Sequence, residues 1–544
     1  MYTLINMKSK HILNLKTRVQ SLPAIIQGGM GISVSNWRLA RAVSLAGQLG
    51  VISGTAIEAV HARILSLGDP KGRLRKAYAS FPDQKLVSRV MARYFNEAGK
   101  KADDRYHSIP MFKLQPSQNL LELIVLSNFA EVRMAKGDQD LNIGVNYLQK
   151  IEVPTPAAIF GAMLAGVDVV LMGAGIPSQI PQLLNDLSDF KAVEYPVKAI
   201  DAPNGTSYKT AFDPSQILDI EKAKIYFESE SLKRPVFLAI VSSDVLAYFL
   251  AKSEKTKPDG YIVEGPTAGG HNAPPRGKIV LDDSGQPIYG PRDIVDFDKL
   301  VNLKIPFWMA GGYGSPDKFK EALSIGANGI QVGSAFAVCT ESGMESSLKS
   351  KLIQMALDDS LTVRTEPYAS PSGYPFKVGQ VEGTLSEAEV VNQRPRRCDL
   401  GYLREAVYIE GSGLKFRCPA EPIGHFEAKH GKIEETEGRV CLCNGLMATA
   451  GFPQIRIDGD EHFVEPPVIT IGDDLIKVSK EIVEYLQNNV DLSDHSILDM
   501  DQSDDEVDST YSTPEWNAAQ VIEYLLSGLN IKSNISEGAL EALK

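Results

Sequence analysis

Residues 264–277 read Glu-Gly-Pro-Thr-Ala-Gly-Gly-His-Asn-Ala-Pro-Pro-Arg-Gly, placing a histidine directly behind two glycines at the end of a short apolar run. Gly269 and Gly270 let the chain pass tightly under a flat bound group, and His271 projects over it from a strand end. A neutral imidazole near pH 7 can take or give a proton, so this is the expected place for a general base or acid. A histidine satisfied within the fold is the plain alternative, and the residues alone leave both open. Downstream, Arg276, Tyr289 and Arg292 have the chemistry to hold a small anion, although exposed arginines are more often solvated.

Other glycine turns stand where a cofactor could approach the backbone. Gly28, Gly29 and Gly31 follow one apolar run; Gly311 and Gly312 follow another; Gly333 and Ser334 follow a third. Free backbone N–H groups at a turn into a helix, with no side chain in the way, favour an anion. Two such turns in succession are more specific than either alone, although tight turns need glycine for their own sake.

Five cysteines occur, too few and too clustered for a secreted disulfide framework. Cys398, Cys418, Cys441 and Cys443 lie close together in sequence, and four thiols can hold a zinc ion or an iron–sulfur cluster. Their spacing fits no familiar finger, so buried or redox thiols are the competing reading. The metal reading expects an appendage separate from the site of His271.

These residues need a scaffold. Eight short runs rich in β-branched residues recur at 24–29, 49–54, 141–146, 167–173, 236–243, 260–265, 305–312 and 329–334. Each ends in a small or amide residue and is followed by a helix-like stretch. Near-continuous apolar strands alternating with helices mean a parallel sheet covered on both faces. Eight of them predict an α/β fold of the (β/α)8 TIM-barrel type, whose site lies at the rim formed by the strand ends. An open doubly wound sheet would concentrate its glycines after the first strand. Insertions are expected at about 55–139 and 178–235, with 71–101 a solvated amphipathic helical face and 207–216 a loop. The expected organisation is a barrel over 1–395, a Cys-containing segment over 396–490, and an acidic linker with a terminal helix over 491–544.

The composition is that of a globular protein, with 43% hydrophobic and 23% charged residues. A net charge of -12 argues against nucleic acid as the main partner. The apolar stretch 157–176 is interrupted by Asp168 and reads as a buried helix, a turn and a strand, with no membrane span. The N-terminal lysines are spread through apolar positions, unlike a signal peptide, so a cytoplasmic enzyme is expected.

The stretches QGGMGISVS, AGQLGVISG, TAGGH after GYIVEG, and WMAGGYGSPDKFKEALSIGANGIQVGSAF together resemble the FMN-dependent nitronate monooxygenases, also called 2-nitropropane dioxygenases. That family also contains FMN enoyl reductases, including those serving polyunsaturated fatty-acid synthases. The resemblance spans roughly residues 20–345. It implies an FMN barrel with phosphate at Gly311, Gly312, Gly333 and Ser334, and His271 as the catalytic group. It further implies Gln27, Gly28, Met30, Gly31, Asn146 and Gln331 beside the isoalloxazine, with Gly269 and Gly270 under it. Ser334 replaces the usual threonine, and the fifth strand lacks a lysine some relatives carry. The activity implied is oxidation of alkyl nitronates with O2; the alternative is reduction of an enoyl thioester with NAD(P)H as co-substrate. A flavin-binding module without catalysis is a third reading, and self-association into a homo-oligomer is left open.

Overall fold

The computed structural model describes residues 15–458, 461–489 and 513–529. Its centre is a closed parallel barrel. The wall strands are β1 (Ile25–Gln27), β2 (Gly50–Ser53), β3 (Ile143–Leu148) and β4 (Val169–Gly173), then β8 (Val236–Val241), β9 (Gly260–Glu264), β10 (Phe307–Ala310) and β11 (Gly329–Val332). They are hydrogen-bonded in the order β1-β11-β10-β9-β8-β4-β3-β2, all parallel. All eight coincide with the runs expected from sequence.

The β1–β2 seam closes the ring. The Gln27 amide donates to the Leu49 carbonyl at 3.0 Å and the Leu49 amide to the Ile25 carbonyl at 3.1 Å. The Gln27 side chain extends the seam, its Oε1 accepting from the Val51 amide at 3.0 Å.

Side chains alternate across a strand, so each barrel strand sends every second residue inward. Ile26, Val51, Leu171, Leu238, Ile262 and Trp308 form a dry plug in the lower barrel, and Trp308 Nε1 donates to the Pro23 carbonyl at 3.0 Å. Their neighbours Ile25, Ile52, Val170, Phe237, Tyr261 and Phe307 face outward into the layer shared with the helices. Gly329 and Gly50 mark places where chain meets wall: an added Cβ would fall on the Ala24 carbonyl at the first and the Ala40 carbonyl at the second.

The apolar stretch at 157–176 resolves as the helix Thr155–Leu164 and strand β4, both buried. Among the described residues no helix is long and apolar enough to cross a membrane. The first insertion is helical. Its basic portion forms two helices, Arg73–Ala79 and Gln84–Tyr94, which bury Leu74, Tyr78, Leu86, Val90 and Tyr94. The second insertion corrects an expectation. It carries β5 (Val193–Val197), β6 (Ala199–Ile200) and β7 (Tyr208–Phe212), and β7 pairs antiparallel with β5 across the stretch expected as loop. Thr210 and Phe212 turn inward while Lys209 and Ala211 face solvent, a short alternation hidden beside polar turn residues.

After the barrel, β12 (Thr362–Glu366) and β13 (Phe376–Gln380) form a hairpin. A second hairpin, β14 (Glu405–Ile409) with β15 (Gly413–Arg417), joins β6 in parallel, so the Cys-containing segment is sewn to the barrel's own insertion. The small hairpin of β16 (Ile455–Asp458) and β17 (Glu461–Val464) follows. The expected helix at 473–486 is Leu475–Asn489, and the terminal helix is Ala518–Ser527. Trp516 docks that end by donating from Nε1 to the Ala335 carbonyl at 3.0 Å. The acidic stretch 492–510 lies outside the described residues.

Gly329→Ala is expected to lower stability by about 1–3 kcal/mol in urea unfolding, because the Ala24 backbone has no room to give. Gly424→Ala, where an added Cβ meets nothing, should be close to neutral. Equal effects would contradict the packing described.

Candidate active site

At the C-terminal rim the inward parity continues, but the residues become polar. Asn146, Glu264 and Gln331 are each preceded by an outward-facing residue (Val145, Val263 and Ile330) and so turn into the barrel mouth above the apolar plug. They line a cavity of about 220 Å³. Asn146 Oδ1 and Gln331 Oε1 are buried without a protein partner. Buried amide oxygens left unpaired cost free energy, so each is a place where a ligand's donor would be accepted.

The cavity brings together Gly28, Met30, Gly31, Asn146, Gly269, Gly270, His271, Gly311, Gly312, Gln331, Gly333 and Ser334. Gln27 is the exception. It shares the outward parity of Ile25, and its amide is spent on Ser35 Oγ at 2.9 Å and on the Val51 amide. It is a strand tie in the wall, and the structure does not bring it to the cavity.

Gly311 and Gly312 adopt φ of 82° and 75°, a backbone region that glycine enters without strain. A Cβ at Gly311 would crowd the Gly265 carbonyl at 3.0 Å. Their loop and the Gly333-Ser334 turn form one end of the cavity.

His271 is held from several sides. Its Nε2 shares a hydrogen bond with Ser370 Oγ at 2.7 Å, and Ser370 contacts Ser372 Oγ at 2.8 Å. The ring packs edge-on against Phe376 with centroids 4.9 Å apart. The loop backbone is bound on both flanks: the Asn272 amide donates to the Pro375 carbonyl and the Lys377 amide to the Gly270 carbonyl, each at 2.9 Å. With Nε2 engaged, Nδ1 is the nitrogen left for a ligand. Burial, with the charge of Lys150 second, lowers the imidazole to about 4, so it is neutral at pH 7.

Glu264 ends the apolar strand β9, a position with no motif of its own to mark it as functional. Burial alone lifts its carboxyl to about 7, with no cation to offset it. Glu264 and His271 both line a second cavity of about 230 Å³ that adjoins the first, walled in part by Val241, Leu246 and Val295. Arg276 and Tyr289 line this second cavity, but Arg292 lines neither.

The C-terminal segment closes the glycine end. Thr470 Oγ1 accepts from the Gly270 amide at 2.7 Å; Ser334 Oγ accepts from the Gly472 amide at 2.9 Å and donates to Asp474 Oδ1 at 3.0 Å. Burial, with Asp473 nearby, holds the Asp474 carboxyl above the usual range. The thiol segment also reaches the cavity through Leu442, Cys443 and Leu446, which corrects the expectation of an appendage apart from the site. Among the described residues no three His, Cys, Asp or Glu side chains stand in ligand geometry for a metal ion.

Glu264 gives a test of this electrostatic picture. Its folded value of about 7 lies above the ordinary 4.5, so between those values the folded state keeps a proton that the unfolded chain has released. Its contribution is therefore fully present below about 4.5 and is lost as pH rises through about 7. Glu264→Gln should raise the unfolding free energy at pH 8 by an amount on the order of 2 kcal/mol, seen as a higher thermal midpoint, and leave both unchanged at pH 4. A gain at pH 4 of the same size would show that the carboxyl is not buried as described.

Residues 229–378 match the family described as nitronate monooxygenase, a segment containing Glu264, His271 and the last two glycine turns. A probable nitronate monooxygenase of Bacillus subtilis (strain 168) is 33% identical over 96 residues, which is 18% of this chain and 26% of that protein. The match thus spans about a quarter of the relative's length. Among solved structures, FabK from Thermotoga maritima aligns over 95% of each chain at 15% identity with a TM-score of 0.43. A nitroalkane oxidase from Streptomyces ansochromogenes aligns over 97% of this chain and 100% of its own at 15% identity and a TM-score of 0.42. Through residues 229–378, the segment that holds His271, this chain is similar to the nitronate monooxygenase family.

Proposed function

We propose that the chain is an FMN-dependent oxidoreductase of the nitronate monooxygenase type, with alkyl nitronates as substrates and O2 as oxidant. The observation that carries this reading is the single cavity in which a neutral His271 faces two unpartnered amide oxygens and a glycine cradle. The residues fit FMN: Asn146 and Gln331 offer polar atoms to the edge of a flat heteroaromatic ring, and the turns at Gly311-Gly312 and Gly333-Ser334 offer backbone to a phosphate. When bound, FMN supplies the electron acceptor and donor chemistry that no side chain here provides.

The chain's own residues do the rest. When the substrate arrives as the neutral nitroalkane, His271, neutral and anchored through Nε2, presents Nδ1 as the base that takes the proton from the carbon α to the nitro group. A preformed nitronate needs no such step and only sits beside it. Ser370 and Phe376 fix the ring so that little reorganisation accompanies proton transfer. The plug beneath and the Thr470–Gly472 segment above restrict water.

A second reading, NAD(P)H-dependent reduction of an enoyl thioester, is favoured by Glu264. A carboxylate without a cation beside the substrate face repels an anionic nitronate above pH 7, whereas a neutral thioester is indifferent to it. The apolar walls of the second cavity suit an acyl chain.

Anaerobic reduction of the flavin distinguishes the two: bleaching by an alkyl nitronate supports the monooxygenase, bleaching by NAD(P)H the reductase, and bleaching by neither contradicts both. His271→Ala should keep FMN while slowing proton abstraction from a neutral nitroalkane by about 10²-fold. Turnover of a preformed nitronate should suffer less, and equal losses would remove the base role.

Asp474 sits at the proposed phosphate end, so its ionised form opposes the phosphate and its protonated form can donate to it. FMN affinity is expected to weaken as pH rises through the titration of this carboxyl. Asp474→Asn should bind FMN about tenfold more tightly at the alkaline end and show a flatter profile, read by quenching of flavin fluorescence. An unchanged profile would place the phosphate elsewhere.

A further inference from the structure

His271 has a second face, which the proton abstraction described above does not use. Its Nε2 meets Ser370 Oγ at 2.7 Å, and Ser370 Oγ meets Ser372 Oγ at 2.8 Å. Neither serine lines the main cavity or the cavity beside it, so this chain of hydroxyls leaves from the back of the imidazole. Ser370 is fully buried, whereas Ser372 is half-buried and ends the chain towards solvent.

The surroundings of Ser370 restrict what its hydroxyl can do. A serine hydroxyl donates once and accepts up to twice. One accepting position is taken by the Ser372 amide, which donates to Ser370 Oγ at 3.2 Å. The backbone there is fixed: the Gly373 amide donates to the Ser370 carbonyl at 3.1 Å, the Val440 amide to the Ala369 carbonyl at 2.9 Å, and Arg439 Nη1 to the Ser370 carbonyl at 2.6 Å. One donor and one acceptor position remain for two partners, His271 Nε2 and Ser372 Oγ. Either Ser370 donates to Nε2 and accepts from the Ser372 hydroxyl, or it accepts from Nε2–H and donates to Ser372 Oγ. The first arrangement puts the imidazole proton on Nδ1; the second leaves Nδ1 bare, as a base requires. A carboxylate at Nε2 would hold one tautomer because it only accepts, whereas a hydroxyl permits both.

We propose that Ser370 and Ser372 are positioning residues that set the tautomer of His271 and carry protons between Nε2 and solvent, a role that rests on His271 being the base of the proposed reaction. A proton taken from carbon by Nδ1 makes the ring cationic, which burial and the charge of Lys150 both oppose. Discharge follows the chain. The Nε2–H bond breaks as a Ser370 O–H bond forms, Ser370 passes its own proton to Ser372 Oγ, and Ser372 releases its own to water. Each proton moves one place, no electrons change hands, and the ring is left neutral with the substrate's proton on Nδ1. Release of that proton to water or product in the cavity, with Nε2 taking one back along the chain, restores the base form.

The tautomer can be read without substrate or turnover. Full-length protein carrying nitrogen-15 histidine is compared with Ser372→Ala and Ser372→Thr by nitrogen NMR, the His271 signals being identified by their loss in His271→Ala. In Ser372→Ala the Ser370 hydroxyl loses the acceptor beyond it and keeps Nε2, so the ring proton moves to Nδ1. The fraction protonated at Nε2 should fall about fivefold, the effect of one lost hydrogen bond, and return in Ser372→Thr, which keeps the hydroxyl. Proton abstraction from a neutral nitroalkane should slow by a like factor in Ser372→Ala, with a smaller loss on a preformed nitronate. The same tautomer ratio in wild type and Ser372→Ala would overturn the relay even in a protein that turns over nitroalkanes. A shifted ratio in a protein that turns over none would support the control of the tautomer and remove the base role instead.

Discussion

The period-two alternation of a closed parallel barrel is the constraint on which the rest depends. A strand that places Ile26 or Trp308 in the interior must send its neighbours outward, and the same parity carried to the rim decides which polar residues face the mouth. Asn146, Glu264 and Gln331 point inward because Val145, Val263 and Ile330 point outward. The apolar plug lies below the cavity, and burial at the mouth lowers His271 and raises Glu264. Folding and site chemistry therefore rest on one geometric rule, and a register slip in any wall strand would exchange the two sets of side chains.

Above the floor, the site is assembled from parts far apart in sequence. His271 is fixed by Ser370 and Phe376 from the stretch after the barrel, and the glycine end is closed by Thr470, Gly472 and Asp474. These additions make the C-terminal segment part of the cavity wall. Lys377 pairs with Asp473 at 2.6 Å, which binds the hairpin of β12 and β13 to the same closing segment. The barrel supplies parity and glycine turns, and the later segments supply enclosure.

Much of this was legible in the sequence because its signals are local. Runs of β-branched residues ending in glycine gave all eight wall strands, and the Gly-Gly-His order marked the loop over the cavity. What was missed has physical reasons. Gln27 adjoins a glycine turn, yet strand parity turns it into the wall, and parity cannot be read without knowing which neighbour is buried. The β5–β7 hairpin has only five residues in each strand, interleaved with lysine, glutamate and proline, so its alternation resembles loop. Ser370 lies about a hundred residues beyond His271 and Asp474 about 140 beyond Ser334, and nothing local marks a serine or an aspartate as the partner of either. Glu264 had a signal that went unused: a carboxylate at the inward end of an apolar strand.

The most direct measurement is the flavin content and affinity of the full chain compared with that of Gln331→Leu, which removes one inward-facing amide and leaves the wall parity unchanged. The account predicts about one equivalent of FMN, identified by chromatography after heat release, and binding at least about tenfold weaker in the variant, the loss expected when a buried ligand group is left without its partner. FAD in place of FMN, no flavin after reconstitution, or equal affinity in the two proteins would contradict it.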